Sequence, residues 1–191
     1  MELKEVKKHI DDALDACQEK LDKQSDIVLS EADFERLVSW SIMKELGHTD
    51  YEKPQSSDFT VHTQVSHYID GINRPDKRVD ILLMIKEKIE AAKHRKGYEY
   101  IDDSFALELK YIHKNESLGD VRCDFCKRFN LELNSWLYVV VLIDSDNDEL
   151  FQRKKNKIED MKNELLKEHS IYNGKLFCAV LRKDPFFRDT M

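Results

Sequence analysis

Glycine and proline are scarce, with five and three in 191 residues. That excludes a collagen-like repeat and argues against long flexible linkers. No apolar run approaches the length that spans a bilayer; the longest, Trp136 to Ile143, has the size of one β-strand. The opening MELKEVKKHIDD is charged from its second residue and contains no apolar stretch of signal-peptide type, so no export is expected. Four cysteines (Cys17, Cys123, Cys126, Cys178) do not form a disulfide framework for a chain of this size, and the expected compartment is the reducing cytoplasm. A Gly-rich phosphate loop, a Gly-x-Ser-x-Gly elbow and a His-Glu-x-x-His pattern are also missing. Nucleotide-driven, serine-hydrolase and zincin readings therefore have no support.

What is present is a heavily charged chain with enough apolar residues to fold: 36% charged and 41% apolar. The length suits one domain, or a domain with a helical appendage. The net charge of −7 argues against a uniformly basic nucleic-acid binder but leaves local basic patches open.

Leu3, Val6, Ile10, Ala13, Cys17 and Leu21 recur at helical spacing, so residues 1–24 are expected to be helical. Residues 1–26 then form an N-terminal helix that either packs on the core by one stripe or self-associates as a short coiled-coil seam for a homodimer; the first reading is preferred. Ser30 is a good N-cap, with Asp33 in the capping-box position, and opens a helix that Gly47 should stop. Glu31 and Glu35, four apart, point from one face of it.

Strands are expected at Phe59–Ile69, Arg78–Ile85, Phe105–Ile112, Trp136–Ile143 and Leu176–Leu181, with turns at Asp70-Gly71 and Pro75-Asp76. Residues 86–96 read either as a short helix ended by Gly97 or as part of a long hairpin excursion. Leu118–Leu133 and Asp146–His169 read as helices. Three early strands suit an antiparallel meander, and the strand–helix–strand ending suits parallel crossovers. The expectation is an α/β protein with a mixed β-sheet flanked by helices.

Three charged residues interrupt the apolar strands. Asp80 lies within RVDILL; Glu108 and Lys110 lie within ALELKYI, two apart and therefore on one face. Ionised groups in such strands are costly to bury unless paired or bound to a metal. Two carboxylates make a hard oxygen site suited to Mg²⁺, with Mn²⁺ as a substitute. A lysine beside them can position or deprotonate a water, or stabilise charge developing on a phosphate.

Asp80 followed by Glu108-Leu109-Lys110 resembles the Asp…(Glu/Asp)-x-Lys signature of the PD-(D/E)XK, or restriction-endonuclease-like, nuclease superfamily. The likeness extends over residues 30–144. An acidic residue on the preceding helix corresponds to Glu31 or Glu35, which stay equal alternatives. The helix and apolar strand after the lysine correspond to Asp120–Glu132 and Trp136–Ile143. The resemblance implies a restriction-endonuclease-like mixed sheet over 27–191 and divalent-metal-dependent hydrolysis of phosphodiester bonds, in DNA before RNA. It assigns the metal to Asp80 and Glu108, and catalysis to Lys110 with Glu108, Asp80, Glu35 and Glu31. Pro75-Asp76 offers a second match to the signature's Pro-Asp pair; Asp80 is preferred because an aspartate in a polar turn needs no special reason. The alternative is a non-catalytic module on the same fold that binds protein or nucleic acid.

Lys93, His94, Arg95 and Lys96 lie in the excursion between the motif strands, as a phosphate-contacting flap or a plain charged loop. Lys96, Lys127, Arg128 and His113 are the candidate substrate contacts. Cys123-Asp124-Phe125-Cys126 is a lone C-x-x-C; Cys17 and Cys178 would be needed to complete a four-ligand zinc site, and small apolar packing is the preferred reading.

Overall fold

The computed structural model describes residues 3–48, 58–69, 72–85, 93–94, 97–99, 104–114, 116–126 and 136–184, with the backbone alone for 65–69, 72–78, 93–94, 97–99 and 171. Helices α1 (Leu3–Lys23) and α2 (Glu31–Glu45) come first. Strands β1 (Phe59–Ile69), β2 (Ile72–Ile85), β3 (Lys93–His94), β4 (Gly97–Glu99) and β5 (Phe105–Ile112) follow. Then come α3 (Gly119–Cys126), β6 (Trp136–Asp144), α4 (Asp148–Glu168) and β7 (Leu176–Lys183).

The strands form one mixed sheet in the order β3-β4-β1-β2-β5-β6-β7. Strands β1, β2 and β5 run antiparallel as a meander, and β5, β6 and β7 run parallel. Helices cover both faces, as the alternation along β6 records. Tyr138, Val140 and Leu142 face α1 and α2, while Leu137, Val139, Val141 and Ile143 face α3 and α4. The β6 positions from Leu137 to Ile143 are all buried, which is why this strand reads as a continuous apolar run.

The stripe of α1 (Val6, Ile10, Ala13, Leu14, Cys17, Leu21) is buried in the same cluster as Phe34, Val38 and Ile42 of α2 and Phe105 and Leu107 of β5. Polar contacts fix the helix further. The Tyr138 hydroxyl donates to Asp11 Oδ1 at 2.7 Å, and the Gln18 amide exchanges two 2.9 Å bonds with the backbone of Arg182. Gln18 thereby occupies backbone groups of edge strand β7 that would otherwise invite another strand.

Helix α2 starts and stops as its residues dictate. Ser30 Oγ accepts from Asp33 N at 3.2 Å, while Asp33, shorter than a glutamate, reaches back to Leu29 N at 3.2 Å. At the far end Gly47 takes a φ of 72°, with Gly47 N bonded to Lys44 O and His48 N to Met43 O.

Two local expectations are corrected. Pro75-Asp76 is not a turn between strands but lies inside β2. There the β1–β2 pairing shifts between Val65↔Val79 and His67↔Arg74, and a proline, having no N–H, suits such an irregularity. Gly97 does not end a helix; it belongs to β4, which pairs antiparallel with β3 and parallel with β1. The excursion after β2 thus adds two short strands to the β1 edge.

Candidate functional site

The site lies where β2 and β5 stop pairing. Their ladder runs Leu83↔Phe105, Leu82↔Ala106 and Ile81↔Leu107. The next residue on each strand is Asp80 and Glu108, so the two acids face each other at the first position beyond it. Beyond Leu107, the outward N–H groups of β5 are met by side chains instead of backbone. Leu109 N donates to Asp80 Oδ2 at 2.8 Å, and Tyr111 N donates to Glu31 Oε2 at 3.2 Å. Alternate residues of a strand are about 6.8 Å apart, so the two carboxylates stand one above the other along the parted edge.

Glu108 and Lys110 project toward α3, as period two requires, with Glu108 only 2% exposed. The Lys110 ammonium lies 3.4 Å from Glu31 Oε2 and 3.9 Å from Asp120 Oδ2. Burial works to lower its pKa. The charges of Glu31, Asp124 and Asp120 outweigh that and hold it above the ordinary lysine value. Glu31 comes from α2, on the opposite face, so its reach to Lys110 passes through the opening between β2 and β5.

Glu35 has a different contact. Gln64 of β1 donates its Nε2 to Glu35 Oε2 in a short hydrogen bond and lies 3.4 Å from Asp80 Oδ1 with the same nitrogen. Both helix acids therefore reach the site, Glu31 at the lysine and Glu35 at the aspartate. The second acid of the Pro75-Asp76 alternative has no described side chain. Lys96, Lys127 and Arg128 lie outside the described residues, as does Arg95.

His113 lies at the end of β5, half-exposed, with its ring 4.4 Å from that of Tyr111. It borders a second polar cluster at the C-terminal ends of the parallel strands. The Tyr111 hydroxyl donates to Asp144 Oδ2 at 3.0 Å, and His113 Nδ1 is 3.8 Å from the same oxygen. Lys183, 1% exposed in its side chain, donates to Val28 O at 2.7 Å and lies 3.9 Å from Asp144 Oδ2. Burial drives the Lys183 pKa down against the pull of Asp144 and Asp26, and drives the Tyr111 hydroxyl up, with Asp144 adding to it. This cluster anchors Tyr111, whose backbone N–H holds Glu31.

The cysteines do not gather. All four are free; Cys17 lies in the cluster under α1 and α2, whereas Cys126 and Cys178 pack on the opposite cluster. Three possible metal ligands, His9, Asp12 and Glu45, bring their donor atoms within 4.8 Å of one another on α1 and α2. Among the described residues, no helix is long and apolar enough to cross a membrane.

Two members of the site are inconspicuous in the sequence. Gln64 reads as an ordinary polar strand residue, and Asp124 as the middle of a C-x-x-C. Asp124 did carry a usable signal: it follows Asp120 by four, which places two acids on one face of α3. No family model, no curated protein and no solved structure matches the chain.

Proposed function

We propose that the protein is a divalent-metal-dependent nuclease of restriction-endonuclease-like architecture, hydrolysing phosphodiester bonds in nucleic acid, with DNA as its first substrate. The observation that carries this reading is the position of Asp80 opposite Glu108 at the end of the β2–β5 ladder, with Lys110 on the same face as Glu108. The donor chemistry fits Mg²⁺ or Mn²⁺. The carboxylates are hard oxygens of the kind these ions take. Asp80 and Glu108 would hold the ion. When bound, it would polarise a phosphate oxygen and lower the pKa of a water.

The chain's own residues supply the rest. Leu109 N fixes the Asp80 carboxylate, so one of its oxygens keeps a constant direction. Glu31 holds the Lys110 ammonium at the opening, where it can orient the attacking water or meet the charge that grows on the phosphate. Substrate would run along the opening past His113, with Lys96, Lys127 and Arg128 as phosphate contacts. Lys154 of α4 is a poor phosphate contact, because its ammonium is held by the carbonyls of His113, Lys114 and Glu116 at 3.0–3.3 Å. A homodimer through α1 would use that helix's charged faces, since its apolar stripe is buried within the chain.

The test is cleavage of single- and double-stranded DNA and RNA by purified protein with Mg²⁺ or Mn²⁺. Wild type should cut at least one of these, and Asp80→Ala and Lys110→Ala should abolish cutting with an unchanged circular-dichroism spectrum. Cleavage retained in Lys110→Ala refutes the assignment. Metal binding lost in Glu108→Ala, without cleavage of any substrate by wild type, makes the protein a binding module instead.

A further inference from the structure

Gln64 carries an anomaly that packing does not explain. Among the described residues it is the one non-glycine with a left-handed backbone, at φ 53°. It sits in the middle of β1, one residue before the pairing with β2 shifts. A glutamine gains nothing from that conformation; a glycine would hold it without strain. Residues kept in such regions cluster at working sites, where the surroundings hold them in place.

The side chain carries a second anomaly. Its Nε2 serves two carboxylates, Glu35 by a short bond and Asp80 Oδ1 at 3.4 Å. That fixes the amide's orientation, because turning it over would set the carbonyl oxygen against both acids. Its Oε1 is then buried with no hydrogen-bond partner among the described residues. A buried amide oxygen left unmatched is destabilising and calls for a missing companion. Glycine would relieve the backbone, and an apolar side chain would remove the unmatched oxygen.

We propose that Gln64 belongs to the cation site: its N–H group clamps the Glu35 and Asp80 carboxylates side by side, and its Oε1 is a neutral ligand for the same divalent ion. This rests on the metal-dependent reading above. An amide carbonyl is a hard oxygen donor of the kind Mg²⁺ and Ca²⁺ accept, and it adds no further negative charge to a crowded acidic opening. The clamp reaches from β1 to α2 on one side and to β2 on the other. It brings an acid from the helix and an acid from β2 to one ion.

The experiment is Mn²⁺ titration calorimetry on the full chain, paired with melting curves of the metal-free protein. Wild type should bind Mn²⁺, and Glu108→Ala should lose it. Gln64→Leu and Gln64→Gly, once shown to fold by their melting curves, should bind Mn²⁺ about ten-fold more weakly or worse. Gln64→Glu, which keeps an oxygen but loses the clamp's N–H, should melt lower without metal and gain a larger upward shift when Mn²⁺ is added. Gln64→Gly accepts the left-handed backbone directly, so it carries the test if Gln64→Leu does not fold. Unchanged Mn²⁺ affinity in either folded variant overturns the ligand role while leaving the Asp80–Glu108 site standing. Failure of both variants to fold makes Gln64 structural and also overturns it. Absence of Mn²⁺ binding by wild type removes both this inference and the reading beneath it.

Discussion

Replacing Glu31 by alanine tests the parted-strand geometry through stability alone. Three terms are lost. The first is the ion pair to Lys110 at 3.4 Å; with Glu31 51% exposed in its side chain, this is close to a surface pair and contributes about 0.5–1 kcal/mol. The second is the hydrogen bond from Tyr111 N at 3.2 Å, contributing about 1 kcal/mol because water can replace the carboxylate at this half-open edge. The third is an acid in the first turn of α2, contributing about 0.3 kcal/mol. Alanine's better helix propensity returns a few tenths of a kcal/mol, leaving a loss of about 1.5–2 kcal/mol. For a chain of this length that is roughly 3–8 °C in Tm. Differential scanning calorimetry should show it, and Glu31→Gln, which keeps an acceptor for Tyr111 N, should fall between. Glu149→Ala removes an exposed first-turn acid of α4 and should move Tm far less. An equal shift for Glu149→Ala and Glu31→Ala would refute the reasoning, because the helix terminus would then account for everything and the bond across the opening for nothing.

Iodoacetamide at pH 8 should modify the exposed Cys123 first. Cys17, buried, should react only on unfolding, and the half-buried Cys178, whose thiol burial pushes up to about 12, should react more slowly than Cys123; peptide mass spectrometry reads the order. Phe105→Ala deletes a fully buried ring stacked edge-on at 5.0 Å from Trp136, and should cost about 3–5 kcal/mol by urea denaturation. A cost below about 1 kcal/mol would mean that β5 does not lie at the centre of the sheet.

Most of the frame was legible because it depends on local rules. The period-two alternation placed Glu108 and Lys110 on one face, and β6 announced its two-sided burial by an unbroken apolar run. Ser30 and Gly47 marked the ends of α2 through their own backbone preferences. What stayed hidden depends on pairing between distant segments. Pro75 reads as a turn because proline ordinarily ends a strand, and only the shift in the β1–β2 register gives it a place inside one. Glu31 and Glu35 could not be separated on the helix, since both point the same way; the structure separates them by what faces them, Lys110 for one and Gln64 for the other. Asp144 and Lys183 end their strands inconspicuously in sequence, and become an ion pair because β6 and β7 run parallel and in register. Nothing in the residues around Gln64 signals a left-handed backbone.

The most direct measurement is an anomalous-difference map from crystals soaked in Mn²⁺. A peak within coordinating distance of both the Asp80 and Glu108 carboxylates, with the Lys110 ammonium beside it, is the predicted result. A map with no peak there, or with its only peak at His9, Asp12 and Glu45, would contradict it.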